Sequence, residues 1–352
     1  MKKVLLSANS SWYIYNFRKN LIKEIIKNYE VIVCAPKDRF SNEIELLGAK
    51  YVELDFKPKS RNIFSEILVI IRFFIVYLNI RPDIVLQFTP KNNIYGSVVS
   101  WFLGIKCLNN IAGLGRVFSE ISLTSKFVKL LYKISHSHVS HIYFQNSRDQ
   151  KLFHEMNIGI GNSNLLPGSG VDLDLFYPKN FFPKNKVFLL LARLIPEKGI
   201  FEYVEAARNI LQNNPEITFN LIGFIDDSKN NPLKNELIDK WHEEGLINYL
   251  GEKDNVSKYI DESSCIVLPS YYAEGTPKSL LEAIASGKPI ITTDNVGCAD
   301  VVQEEKNGYL CEMRSSQSLI KAMKKLISLS NDELLQMGQN SRDLAKEKYD
   351  EK

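Results

Sequence analysis

Ser270-Tyr-Tyr-Ala-Glu-Gly-Thr-Pro-Lys-Ser-Leu-Leu-Glu-Ala-Ile-Ala-Ser-Gly287 follows the apolar run Cys265-Ile-Val-Leu-Pro269. The run reads as a buried strand, and the stretch after it as a short loop feeding a helix. Thr276 is placed as an N-cap, Pro277 stands where a missing N–H costs nothing, and Gly287 follows the last turn. The helix is therefore expected over residues 277–286. Leu280, Leu281 and Ile284 form its core face, while Glu282 lies about 200° around from Leu280 and is free for a ligand.

A strand end, a glycine-containing loop and a helix N-terminus together make an anion site, because unpaired amides and the positive dipole end converge there. Glu274 and Glu282 flank that site, and a carboxylate can accept two hydrogen bonds from a vicinal diol. Phosphate plus diols points to a nucleotide sugar. Taken alone, the stretch reads equally well as a capped surface helix carrying two solvated glutamates.

A second junction shifts this balance. Lys186-Val-Phe-Leu-Leu-Leu-Ala192 is a hydrophobic strand running into Arg193-Leu-Ile-Pro-Glu-Lys198-Gly199, with an amphipathic helix beginning near Phe201. Arg193 offers a planar fork to phosphate oxygens and Lys198 a mobile point charge, a pairing suited to a diphosphate leaving group. The order Ala192-Arg-Leu-x-x-x-Lys-Gly199, then Glu274-Gly-x-Pro-x-x-x-x-Glu282, resembles the signature of the retaining glycosyltransferases of family four.

That resemblance implies an α/β chain of the GT-B fold, two doubly wound Rossmann-like domains facing a central cleft. It implies transfer of a hexose or N-acetylhexosamine from a UDP-sugar to a polyprenyl-diphosphate-linked saccharide. Arg193, Lys198 and the helix N-terminus at Gly275, Thr276, Pro277 and Lys278 would face the diphosphate. Glu282 would hold the ribose and Glu274 the sugar hydroxyls; Gly251, in Gly251-Glu-Lys-Asp-Asn-Val256, would border the base, and Gly168 and Ser169 the donor. No Asp-x-Asp metal motif is needed, so neither a metal nor a cofactor beyond the donor is expected. A nucleotide-sugar epimerase and a non-catalytic nucleotide-sugar binding subunit remain alternatives on the same fold.

The 352 residues suit two domains, expected over 1–170 (acceptor) and 171–340 (nucleotide sugar), with a linker near Phe176 to Lys186. Residues 341–352 are expected to start a helix returning to the first domain. The N-terminal Met1-Lys-Lys runs straight into Val4-Leu5-Leu6, too short for a signal sequence, and five cysteines without Cys-x-x-Cys point to reduced thiols in the cytosol. Residues 1–170 hold 22 Lys/Arg against 12 Asp/Glu, a net +10, whereas residues 171–352 hold 22 against 29, a net −7. The cationic half suits an anionic membrane surface or a pyrophosphate-bearing acceptor, or is merely solubilising. Nucleic acid is not expected, because no run interleaves Arg with aromatic residues.

The N-terminal half alternates strands and helices: strand at Val4–Ala8, helix 16–28, strand 29–35, helix 42–47, strand 51–54. Such alternation predicts a parallel sheet with ligands beyond its C-terminal edge. Ser10 in Ser7-Ala-Asn-Ser-Ser11 and Lys91 in Gln87-Phe-Thr-Pro-Lys91 are acceptor-side candidates. The first loop lacks the paired glycines, and Pro90 replaces the His, that many relatives carry. Gly113, Gly115 and Arg116, in Asn110-Ile-Ala-Gly-Leu-Gly-Arg116, are similar to a Gly-Leu-Gly of members that elongate lipid-linked sugars. Residues 63–80 read as a buried helix or one resting on a bilayer interface, and Lys126–Ile134 as a basic amphipathic helix on a membrane or an ordinary surface. His136, His138 and His141 do not share one face, so no metal is assigned.

Overall fold

The computed structural model describes residues 1–56, 63–114, 118, 122–179, 182–226, 231–273 and 275–352. The chain separates into two compact units, Met1–Ser169 and Gly170–Lys352. In the first, a fully parallel sheet has the order β3-β2-β1-β4-β5-β6-β7. Its strands are β1 Lys3–Ser7, β2 Glu30–Ala35, β3 Lys50–Glu53, β4 Ile84–Gln87, β5 Lys106–Ile111, β6 His141–Phe144 and β7 Ser163–Leu165. The second sheet, also parallel, runs β10-β9-β8-β11-β12-β13. Its strands are β8 Val187–Leu191, β9 Thr218–Ile222, β10 Asn248–Tyr249, β11 Cys265–Leu268, β12 Ile290–Thr293 and β13 Gly308–Cys311. Both orders reverse beside the first strand of the unit, between β1 and β4 and between β8 and β11. Doubly wound sheets bind ligands beyond the strand ends at such reversals.

Continuous apolar runs form these strands because helices cover both faces. Phe188, Leu190, Cys265 and Val267 enter one core with Ile200, Tyr203 and Met323. The alternate residues Leu189, Leu191, Ile266 and Leu268 enter the other, with Leu280, Leu281 and Ile284. The first unit does the same, with Val4 and Leu6 on one side of its sheet and Leu5 on the other.

Helix α1, Ser11–Ile25, starts earlier than its apolar pattern indicated, because the Ser10 hydroxyl caps it by accepting from the Tyr13 N–H at 3.1 Å. This cap fixes the Ser10 side chain at the start of α1, beyond the end of β1. Helix α2 spans Ser41–Leu46 and α3 spans Ile63–Ile80; a π-helical turn, Asn92–Gly96, leads into α4, Ser97–Phe102. The expected helix over residues 277–286 is Lys278–Ala285, with Pro277 rather than Thr276 at the N-cap position and no side-chain cap. Residues 341–352 lie in the second unit, within and beyond the helix Asn331–Lys348. Leu344, Ala345 and Tyr349 are buried with Leu281 and Ile284, and Tyr349 O accepts from the Val171 N–H at 2.8 Å. Those contacts explain why this segment stays with the second unit.

Candidate active site

In the second unit the two motifs found in the sequence meet at the β8–β11 reversal. Beyond β8 the chain makes a 3-10 turn, Pro196–Lys198, whose Glu197 carbonyl projects toward the end of β11. It accepts from the Tyr271 N–H at 2.8 Å, the Tyr272 N–H at 3.1 Å and the Ser270 hydroxyl at 3.2 Å. Gly199 has φ +75°, and a Cβ there would lie 2.2 Å from the Pro269 carbonyl oxygen, so only glycine allows the loops this close. Lys198 thereby places its ammonium 5.7 Å from the centre of the Tyr272 ring.

Arg193 stands on the same edge with its side chain 35% exposed, and its Nη1 lies 3.3 Å from the buried Asp226 Oδ2. Asp226 follows β9, and Asn231 Nδ2 ties the two loops by donating to Leu194 O and Asp226 O, both at 2.9 Å. With the carboxylate buried and the guanidinium a third exposed, this single 3.3 Å contact orients Arg193 and leaves its other donors for a ligand. Gly251 has φ +74°, and its carbonyl accepts from the Gly223 N–H at 3.1 Å. Next to these loops a depression of about 430 Å³ is lined by Phe224, Ile225, Asp226, Lys234, Tyr249 and Glu252. That is room for a small ring system.

The uncapped N-terminus of the helix Lys278–Ala285 follows the buried Gly275 and Thr276. Lys278 is not a freely swinging cation, because its Nζ donates to the Gly170 carbonyl at 3.0 Å. One turn on, the side-chain carboxyl of Glu282 accepts no hydrogen bond among the described residues. Burial pushes its carboxyl up from 4.5 to about 7, against the opposing pull of Lys278. A carboxyl so poised is open to the hydroxyls of a ligand. Glu274, Gly115 and Arg116 lie outside the described residues.

The candidates of the first unit are more dispersed. Lys91 Nζ is paired with Glu66 Oε1 at 2.6 Å, and Tyr95 donates to the same carboxylate at 2.7 Å, so this cation ties α3 to the π turn. At the β1–β4 reversal, Asn92 Nδ2 donates to Ser7 Oγ and Thr89 Oγ1 to Asn92 Oδ1, both at 2.6 Å. Gly113 follows β5 with φ +144°; Gly168, with φ +75°, donates to Leu166 O at 2.8 Å, and Ser169 ends the unit. The three histidines part company. His136 is buried between Asn109 Nδ2 at 2.9 Å and Ser135 Oγ at 2.8 Å, its pKa pushed down to about 3 by burial. His138 stacks on Trp101 at 4.4 Å, and His141 bonds Asn164 at 2.7 Å.

Two family models match the chain, glycosyl transferase 4-like over residues 3–146 and glycosyl transferases group 1 over residues 174–344. The chain belongs to the glycosyltransferases. A relative in Campylobacter jejuni, N,N'-diacetylbacillosaminyl-diphospho-undecaprenol alpha-1,3-N-acetylgalactosaminyltransferase, is 26% identical over 92% of this chain and 88% of its own length. The Escherichia coli UDP-Gal:alpha-D-GlcNAc-diphosphoundecaprenol alpha-1,3-galactosyltransferase is 27% identical over 74% of this chain and 70% of its own. Among solved structures, Anabaena HepE in complex with UDP-glucose superposes with a TM-score of 0.79 at 16% identity, covering 99% of this chain and 96% of that one. The GT-B architecture is thus the fold of this glycosyltransferase.

Sequence reading missed Asp226 and the Glu197 carbonyl. An acid four residues past β9 was a usable signal for Asp226, whereas a backbone acceptor has no sequence signature. The outer face of α3 is apolar. Val69, Phe73 and Tyr77 of this helix are buried, but Phe64, Ile67, Leu68, Ile71, Phe74, Ile75 and Leu78 form an exposed stripe, Phe64 at 80%. Glu66 faces Lys91, and Arg72 pairs with Asp55 at 2.9 Å. Helix α4, which packs on α3, exposes Trp101 and Phe102; the helix Leu123–His136, which packs on α4, exposes Phe127, Leu130 and Ile134. Lys126 and Lys133 are exposed beside them. Among the described residues no helix is long and apolar enough to cross a membrane.

Proposed function

We propose that this glycosyltransferase moves a hexose or N-acetylhexosamine from a UDP-sugar, with retention at the anomeric carbon, to a polyprenyl-diphosphate-linked saccharide in the assembly of a surface glycan. The observation that carries this reading is the Glu197 carbonyl clamp, which gathers Arg193, Lys198 and the end of β11 on one sheet edge. As the sugar–phosphate bond breaks, negative charge grows on the departing diphosphate. Preorganised cations stabilise that state more than the ground state. Arg193 and Lys198 take this role with the amides at Gly275 to Lys278, and the reaction needs no metal. Glu282 holds the ribose hydroxyls, Glu274 the sugar hydroxyls, and the Gly251 loop the base. The relatives named above support the lipid-linked acceptor.

The first unit takes the acceptor and rests on the cytosolic face of the plasma membrane. Its exposed apolar side chains on α3, α4 and the helix Leu123–His136, the last also exposing Lys126 and Lys133, match the chemistry of an anionic bilayer: apolar side chains for the acyl boundary and cations for the headgroups. Incubation with radiolabelled UDP-sugars, with and without bacterial membranes, tests the reaction. Label is expected in the lipid extract, only when membranes are present. Interconversion of UDP-sugars without membranes would make the protein an epimerase, and intact donor in both arms would make it a binding subunit.

A further inference from the structure

Helix α1 carries a charge that the reaction outlined above does not use. Arg18, in the middle of α1, is only 8% exposed. Its Nε has no hydrogen-bond partner. Its Nη1 reaches Phe17 O at 3.3 Å, and its Nη2 reaches Tyr13 Oη at 3.3 Å and Asn110 Oδ1 at 3.4 Å. All three contacts are neutral, and all exceed the usual N–H···O range of about 2.7–3.2 Å. No carboxylate among the described residues pairs with it. Asp149, the buried acid of this sheet edge, accepts instead from the Leu114 N–H at 3.1 Å and Asn146 Nδ2 at 3.0 Å.

The surroundings hold the guanidinium in place without neutralising it. Its Cζ sits 4.7 Å from the centre of the Phe88 ring and 5.8 Å from that of Tyr13, so its faces are covered by rings. Asn110 Oδ1 also accepts from Gln145 Nε2 at 3.1 Å, and Asn93 Nδ2 donates to Asn110 O at 3.0 Å. Phe88 follows β4, Asn110 is the last residue but one of β5, and Gln145 follows β6. The cluster therefore stands at the C-terminal edge of the parallel sheet, where such sheets take their ligands. A buried, unpaired charge weakens a fold, and a planar fork of N–H donors matches two oxygens of a phosphate.

We propose that Arg18, positioned by Phe88, Asn110 and Gln145, forms a diphosphate-binding subsite in the first unit. The subsite rests on the geometry of Arg18; its assignment to an isoprenoid diphosphate rests on the acceptor reading above, and a nucleotide diphosphate carries the same chemistry. Arg18→Met keeps the stem and removes the charge. Calorimetric titration of the full chain with farnesyl diphosphate, inorganic pyrophosphate and UDP, beside thermal melts, is the test. The variant is expected to melt at or above the wild-type temperature without ligand, and to bind farnesyl diphosphate and pyrophosphate at least tenfold more weakly with UDP unchanged. Tenfold weaker binding of UDP alone would keep the subsite and assign it to the nucleotide. Wild-type binding of pyrophosphate without farnesyl diphosphate would likewise keep the subsite while overturning its isoprenoid assignment. Unchanged affinity for all three in the folded variant, or a wild type that binds none of them, would overturn the proposal. If Arg18→Met does not fold, Arg18→Lys decides: a folded lysine variant with weakened diphosphate binding supports the fork, and one with wild-type affinity refutes it.

Discussion

Replacing Glu282 with Gln separates the stability and the binding role of one carboxyl. In the folded protein its pKa is raised from 4.5 to about 7 by burial. Both folded and unfolded chains are protonated below pH 4.5, and between there and pH 7 only the folded chain keeps the proton. Stability therefore falls as pH rises through this window, by about 1.4 kcal/mol per pH unit, or about 3 kcal/mol in all. Above pH 7 the loss is complete and constant. Glutamine keeps the shape and carries no charge, so Glu282→Gln is expected to match the wild type at pH 4.5 and to gain most of this difference at pH 8.5. For a unit of this size the gain is about 5–10 °C in melting temperature. The assay is a series of ligand-free melts from pH 4.5 to 8.5, followed by titration with UDP at pH 7.5. The variant is expected to be more stable at high pH yet bind UDP about tenfold more weakly, because an amide is a poorer acceptor for two ribose hydroxyls. A variant no more stable than wild type at pH 8.5 would show that the carboxylate is not desolvated. Unchanged UDP affinity would remove it from the ribose site.

Lys198→Ala is expected to remain folded and to lose about 100- to 1,000-fold in kcat, the cost of removing one preorganised charge-stabilising donor. Arg193→Lys, which keeps charge but loses the fork, is expected to stay clearly impaired. Lys186→Ala, at the far end of β8 where its Nζ reaches Asn331 Oδ1 at 3.4 Å, serves as the near-wild-type control; more than about a tenth of the rate in Lys198→Ala would refute the diphosphate role. Activity is expected to survive EDTA, and a complete loss that magnesium or manganese restores would refute metal-free transfer. Flotation with anionic liposomes should fall partly at high salt, because headgroup attraction is screened over about 8 Å while apolar insertion is not. Leu130→Glu should abolish recovery, and equal recovery on neutral and anionic lipid would remove the electrostatic component.

Local chemistry explains which parts of this chain could be read from its residues. The strands β8 and β11 are legible because parallel strands covered on both faces are uninterrupted apolar runs, and the loops that carry Arg193 and Lys198 and the helix that carries Glu282 because strand–loop–helix junctions are punctuated by Gly and Pro. The helix boundary at Pro277 was missed by a residue, since Thr276 has good cap chemistry but its hydroxyl caps nothing here. Ser10 shows the opposite case, a polar loop residue whose hydroxyl caps its own helix although the apolar pattern starts later.

The first unit was harder because its polar residues act through partners distant in the chain. Lys91, a cation at a strand end in the sequence, is paired in the structure with Glu66 on the helix before it. In sequence Arg18 is indistinguishable from a solvated charge of an amphipathic helix, since its uncharged partners Phe88 and Asn110 are distant in the chain. These two cations give a physical criterion for sorting the basic half of the chain: one is neutralised by a carboxylate and ties a helix down, while the other is buried against neutral groups at a ligand-binding edge. A net charge of +10 over residues 1–170 does not distinguish them, whereas the partner of each charge does. On that criterion Lys91→Met should weaken the fold and leave pyrophosphate affinity alone, the reverse of the pattern expected for Arg18→Met. Melts and titrations of the two variants side by side read it directly, and matching behaviour in both would show that burial against neutral partners does not mark a binding cation.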